Sequence, residues 1–172
     1  MKKFLTLLTF ALFALGLSAQ ETGASFVQTK TLKGGSRVVR SEGIVFFTAP
    51  DQLRMNYLDP KGEYLIIDGA WLRTNAGLKQ VDVDTEKNPA MRNFRNTLLN
   101  CILGEYEKAA EDNNADVAVE AKGDGKAVTL TARKQAAKGY SKIFVEYNEL
   151  NRPVRLVLDE FNGVSTAYTF EY

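Results

Sequence analysis

Along most of the chain, apolar and polar residues alternate with a period of two. Leu53, Met55 and Tyr57 interleave with Arg54 and Asn56, the pattern of a strand with one buried face. Val117, Val119 and Ala121 repeat it, as do Ile143, Val145 and Tyr147, then Val154, Leu156 and Leu158. Tyr168, Phe170 and Tyr172 end the chain in the same way. Further strands are predicted over Phe26 to Thr31, Arg37 to Phe47, Tyr64 to Ile67 and Leu78 to Val83, with a bulge or bend at Gly43. Turn residues separate these runs: Gly34-Gly35, Asp59-Pro60-Lys61-Gly62, Asp68-Gly69 and Gly123-Asp124-Gly125.

The period changes once. Met91, Phe94, Leu98, Cys101 and Ile102 fall at helical spacing, while Arg92, Arg95, Asn96 and Asn100 face elsewhere. Asn88-Pro89 suits the start of a helix and Gly104 its end. A second short helix is expected over Glu105 to Asp112. Strands recurring at roughly 8–12-residue intervals indicate an antiparallel sheet or barrel rather than βαβ units. The predicted fold is mainly β with helices (α+β): one strongly curved antiparallel sheet with helices on one face. Some strands, such as Ile44 to Phe47 and Tyr64 to Ile67, are apolar on both faces. A second apolar surface suggests a closed barrel or a lined concavity.

Composition narrows the chemistry. The 172 residues include no histidine and one cysteine. That excludes a Ser-His-Asp triad, a Cys-His pair, an imidazole proton shuttle and an internal disulfide. No metal or other cofactor is expected. A formal charge of +1 gives no electrostatic footprint for nucleic acid. The amino terminus reads as an address: Lys2 and Lys3, an apolar run from Phe4 to Leu17, then Ser18-Ala19. This is the form of a secretory signal peptide over residues 1–19, cut after Ala19, leaving a single domain over residues 20–172. Loss of Lys2 and Lys3 takes the formal charge from +1 to −1.

Isolated polar groups offer little. Asp82 and Asp84 sit on one face of a strand, about 7 Å apart, and read as a solvated strand end. Gly123-Asp124-Gly125-Lys126 lacks the Ser/Thr and the earlier glycine of a phosphate loop, and a hairpin explains it. Arg133, Lys134 and Lys138 read as solvated charges. Cys101, on the apolar side of the helix, reads as a buried structural thiol. No catalytic residue emerges, and the protein is not expected to be an enzyme.

A set of segments in fixed order is more specific. They are Phe26-x-Gln28-x-Lys30, Ser41-Glu42-Gly43-x-x-Phe46-Phe47, Ala49-Pro50-Asp51-Gln52-Leu53-Arg54-x-x-Tyr57-x-x-Pro60 and Leu65-Ile66-Ile67-Asp68-Gly69. Together they resemble the outer-membrane lipoprotein carrier protein family. The resemblance implies an unclosed β-barrel with a helical lid over an apolar cavity. It implies a periplasmic carrier that binds lipoprotein acyl chains and delivers them toward the outer membrane, taking cargo from an inner-membrane donor complex and passing it to an outer-membrane acceptor. A monomer is expected. A lipid sensor serving a membrane partner, or a carrier of another lipid, is the alternative.

Carried onto this sequence, Phe47, Leu53, Met55, Tyr57, Leu65, Ile67 and Trp71 are candidate cavity residues. Met91, Phe94, Leu98, Cys101 and Ile102 are candidates for the lid face. Which alternate strand set points inward stays open, because a one-residue slip exchanges the faces. The family often carries an arginine before the proline matched to Pro50, associated with lid control; here that residue is Ala49.

Overall fold

The computed structural model describes residues 21–77 and 79–172. The expected signal peptide and Leu78 lie outside the described residues. Eleven strands form one antiparallel sheet. They are β1 (Glu21–Thr31), β2 (Val38–Thr48), β3 (Gln52–Asp59), β4 (Tyr64–Asp68), β5 (Trp71–Ala76), β6 (Lys79–Asp84), β7 (Ala115–Lys122), β8 (Gly125–Ala132), β9 (Tyr140–Tyr147), β10 (Pro153–Glu160) and β11 (Ser165–Glu171). The order across the sheet is β6-β5-β4-β3-β2-β1-β11-β10-β9-β8-β7.

This topology explains the curl. The first strand lies in the middle, and two runs of neighbouring strands spread outward from it. The edges, β6 and β7, are consecutive in sequence. Between them run a 3-10 turn at Thr85–Lys87, helix α1 (Pro89–Leu103) and helix α2 (Tyr106–Asp112). The helices therefore bridge the two edges, and the sheet is an unclosed, curled barrel with its concave side toward them. Edge strand β7 is tied to its neighbourhood by ion pairs, Arg133–Asp116 at 2.7 Å and Lys122–Glu146 at 2.7 Å. Charges of this kind blunt an edge against further strand pairing.

Register fixes which side chains point inward. Phe26 lies opposite Phe170, Val45 opposite Met55, Leu53 opposite Ile67, and Ile67 opposite Leu72. On the other wing Leu156 faces Val145, and Val145 faces Val128. All of these are buried and belong to one core. The opposite parity carries Ile44, Phe46 and Ile66, with Ile44 38% exposed. The second apolar surface read from the sequence is therefore largely the convex face, not a lined concavity.

Four members of the ordered motifs have a packing reason. Phe26 and Gly43 are register partners. A Cβ on Gly43 would lie 2.2 Å from the Asn56 carbonyl oxygen and 2.9 Å from the Phe26 ring. Glycine is what lets the ring lie across β2. The register shifts between Glu42 and Gly43, the irregularity expected there. Phe26 also meets Tyr57 edge-to-face at 5.1 Å, and the Tyr57 hydroxyl donates to Gln28 Oε1 at 2.7 Å. The Phe-x-Gln, glycine and tyrosine positions thus knit β1, β2 and β3 together.

Candidate functional site

Helix α1 forms where the period change places it. Asn88 caps it, its Oδ1 accepting from the Met91 N–H at 3.2 Å, and Pro89 occupies its first turn. Gly104 ends it in the left-handed region at φ 75°. Leu98 and Cys101 are fully buried, and the Tyr147 hydroxyl donates to the Cys101 carbonyl at 2.8 Å. Burial pushes the Cys101 thiol up to about 12, so it stays protonated. Met91, Phe94 and Ile102 are only partly buried and pack at the margins of the core.

A second anchor lies nearer the start of α1. Arg95 Nη1 donates to Thr85 Oγ1 at 2.7 Å and to the Gly69 carbonyl at 3.3 Å, while Nη2 pairs with Glu86 Oε1 at 3.0 Å. Ala49 stands where the family resemblance implies an arginine. Arg95 instead ties α1 to the turn between β4 and β5 and to the 3-10 turn that precedes the helix.

The middle of the concave face is filled, and space remains at two ends. Beneath the first half of α1 lies a cavity of about 610 Å³, lined by Leu65, Leu72, Val81, Met91 and Phe94 with Tyr140 and Glu160 at its side. An adjoining hollow of about 380 Å³ shares Leu65, Thr74, Phe94, Tyr140 and Glu160 with it and extends to Gln28, Tyr57 and Tyr168. The two form one continuous space of the size that small ligands occupy. Its outer rim is mixed in charge, with Lys30, Lys138, Glu63 and Glu160. At the far end of α1 a smaller hollow of about 170 Å³ lies among Ala24, Val45, Phe47, Ile102 and Phe170.

The residues singled out from the sequence divide accordingly. Leu65 and Tyr57 border the larger space, and Phe47 borders the smaller one. Leu53, Met55 and Ile67 point inward but are core residues, 0–1% exposed. Trp71 is a correction. It pairs with Asp68 and Asp84 on the outer face and is 46% exposed, while Leu72 takes the inward position opposite Ile67. On α1, Met91 and Phe94 line the larger space and Ile102 the smaller, with Leu98 and Cys101 filling the core between. Sequence reasoning missed Thr74, Val81, Tyr140 and Tyr168. Alternation marked their strands, but only the curl of the sheet brings them to one place.

The remaining candidates have local partners. Asp82 pairs with Arg73 at 3.5 Å. Asp84 accepts from the Glu86 N–H and pairs with Lys87 at 3.1 Å, and its carboxyl is held below the usual range by Lys87 first and that N–H next. Among the described residues no cluster of three metal-ligating side chains occurs, and no helix is long and apolar enough to cross a membrane.

Comparison with known proteins follows from this geometry. Among curated proteins, none matches the sequence. Several solved structures are similar at low identity. A LolA superfamily protein from Nitrosomonas europaea has 10% identity and a TM-score of 0.42, covering 90% of this chain and 86% of that one. A DUF1329 family protein from Desulfovibrio piger has 11% identity and a TM-score of 0.41, covering 90% and 85%. The lipoprotein LppX of Mycobacterium tuberculosis has 12% identity and a TM-score of 0.35, covering 87% and 85%. Likenesses this distant carry no argument about ligand or partner. The family model is decisive: outer membrane lipoprotein carrier protein LolA matches residues 18–172, which take in every described residue, and the protein belongs to that family.

Proposed function

We propose that the protein is an exported carrier of acyl chains, holding the lipid part of lipoproteins in the space beneath α1. The observation that carries this reading is the cavity of about 610 Å³ between the helix and the concave sheet, with Leu65, Leu72, Val81, Met91 and Phe94 along it. Burial in such a space needs no directional chemistry. Each methylene kept from water is worth about 0.8 kcal/mol, so a palmitoyl-length chain resists crossing water by about 12 kcal/mol. An apolar enclosure lowers that barrier, and the family membership supports a carrier over an enzyme.

The signal peptide read at residues 1–19 supports a periplasmic location. In that setting the carrier takes lipoproteins from an inner-membrane donor complex and delivers them to an outer-membrane acceptor, working as a monomer. Native mass spectrometry of the protein purified from the periplasm without detergent tests this reading. A co-purifying lipid or lipoprotein is expected. An empty protein that also fails to take up a fluorescent fatty acid overturns it.

A further inference from the structure

Within the space beneath α1, one part is polar without being charged. Gln28 lies opposite Ser41 on one side and opposite Tyr168 on the other, so three polar side chains form a row across β2, β1 and β11. Tyr57 joins the row by donating to Gln28 Oε1 at 2.7 Å. Tyr140, at the start of β9, borders the same hollow. The Tyr57 and Tyr140 phenols each add to the upward push on Tyr168, as neighbours do.

The row opens onto the hollow. The Tyr168 and Ser41 residues are 3% and 9% exposed, yet among the described residues no fully buried side-chain nitrogen or oxygen lacks a partner. The Tyr168, Tyr140 and Ser41 hydroxyls, which bond to no other side chain, therefore face the open space they line. The Tyr57 hydroxyl occupies the carbonyl end of the Gln28 amide. What remains on offer is a set of O–H and N–H donors. Burial raises Tyr57 to about 12 and pushes Tyr140 and Tyr168 higher still, so all three phenols stay neutral; the Tyr57 O–H is committed to Gln28, which leaves the Tyr140 and Tyr168 hydroxyls and the Gln28 amide N–H as the free donors. A hydroxyl facing such a space meets either water or a ligand, and a ligand that displaces the water must supply the hydrogen bond in its place.

The chemistry that satisfies this row is a neutral acceptor. The nearby lysines, Lys30 and Lys138, are exposed and share the rim with Glu63 and Glu160, so no net cationic seat for a carboxylate or phosphate is built. The apolar wall of Leu65, Leu72, Met91 and Phe94 continues directly from the donors. A ligand spanning both has a hydrocarbon chain with an uncharged carbonyl at one end.

We propose that Tyr140, Tyr168 and the Gln28–Tyr57 pair form a carbonyl seat that binds the ester or amide carbonyl of an acyl group, fixing its depth and direction. This rests on the acyl-carrier reading and adds to it a polar determinant of which amphiphiles are held.

The test uses the mature protein and three probes of one chain length: monopalmitoylglycerol, N-palmitoylethanolamine, and the ether analogue hexadecylglycerol. Affinities are read by displacement of the fluorophore phenylnaphthylamine. Wild-type protein is expected to bind the ester or the amide about three- to tenfold more tightly than the ether, the gain of one or two neutral hydrogen bonds. The better of those two arms names the source of the carbonyl. Tyr140→Phe/Tyr168→Phe, which keeps both rings, is expected to lose this preference, bringing the three affinities to within about twofold of one another. An infrared shift of an isotope-labelled ester carbonyl on binding, reversed in Tyr168→Phe, gives a second readout if the double variant folds poorly. Equal binding of all three probes by wild type means the row holds only water, and the carbonyl seat is wrong while the carrier reading stands. A preference that survives in the double variant also overturns the seat. Binding of none of the three overturns the carrier reading and the seat with it.

Discussion

The attachment of α1 to the sheet can be loosened at one residue. Arg95 is 14% exposed and reaches three groups outside its own helix: the Thr85 hydroxyl, the Gly69 carbonyl and the Glu86 carboxylate. Arg95→Ala removes all three contacts. Little is orphaned by the change. Thr85 Oγ1 still donates to the Ala70 carbonyl at 2.7 Å, and Glu86 keeps Arg92 at 3.4 Å. A hydrogen bond from a charged donor is worth about 1.5–3 kcal/mol where it is buried. The Glu86 partner is half-exposed, so its share is small. The net loss to helix docking is about 2 kcal/mol, which raises the population with α1 lifted by about 30-fold.

Amide hydrogen exchange reads this directly, because local opening exposes α1 without exposing the sheet. Residues 90–97 are expected to exchange about 30-fold faster in the variant, with β1, β2 and β3 amides unchanged. Uptake of a fluorescent fatty acid is expected to quicken in parallel. Arg95→Lys keeps a charge near Glu86 but loses the fork that spans Thr85 and Gly69, so it restores less than half of the protection. Equal acceleration in helix and sheet refutes the reasoning, since Arg95 then stabilises the whole fold. Unchanged exchange refutes it as well.

Gly43→Ala places a Cβ 2.2 Å from the Asn56 carbonyl oxygen, and a loss of about 3 kcal/mol is expected as a lower urea midpoint with an unchanged slope. Tyr147→Phe removes the bond to the Cys101 carbonyl; about 1–2 kcal/mol and a melting temperature lower by about 4 °C are expected in thermal denaturation. Stability is expected to fall between pH 9.0 and about 12, because the unfolded chain releases the Cys101 proton near 9.0 while the folded chain holds it to about 12. The slope attributable to this thiol is about 1.4 kcal/mol per pH unit, and Cys101→Val is expected to flatten the first part of the fall in denaturation titrations.

Much of the fold was legible because it depends on short-range chemistry. Alternation marked the strands, and Asn88-Pro89 and Gly104 marked the ends of α1 within a residue. Faces were harder. Period two is equally satisfied by either side, so Trp71 and Leu72 exchange roles with one residue of hairpin register. The apolar pair Ile44 and Phe46 looked like part of an interior and lies on the convex side. The candidate site was legible only in part. Met91, Phe94 and Leu65 carried a periodic signal toward the cavity. Tyr57 carried one too, in the alternation of Leu53, Met55 and Tyr57; Gln28, Ser41, Tyr140 and Tyr168 did not point there, because their meeting is a product of sheet order: β1 sits between β2 and β11, the second and last strands of the chain.

The distribution of packing along α1 shows how a carrier can grip and still release. Leu98 and Cys101 bury fully against the sheet, and Tyr147 holds the helix backbone at Cys101. Those contacts belong to the same core as Phe26, Met55 and Leu156, so moving that part of the helix would disturb the fold. The first half is different. Met91 and Phe94 are partly buried over open space, and polar ties hold them down: Arg95 with its three partners, and Asn93 with Asp112 and Asn113. On the reading proposed above, cargo entering beneath Met91 and Phe94 gains apolar contacts without competing with the core. In the proposed role, release requires that the same half lift, which breaks the Arg95 contacts, the Asn93 bonds to Asp112 and Asn113 and the Asn113–Thr97 bond but leaves the core in place. In the proposed carrier role, binding strength and release rate are thus set by different residues, one set along the cavity wall and the other in the polar ties of α1.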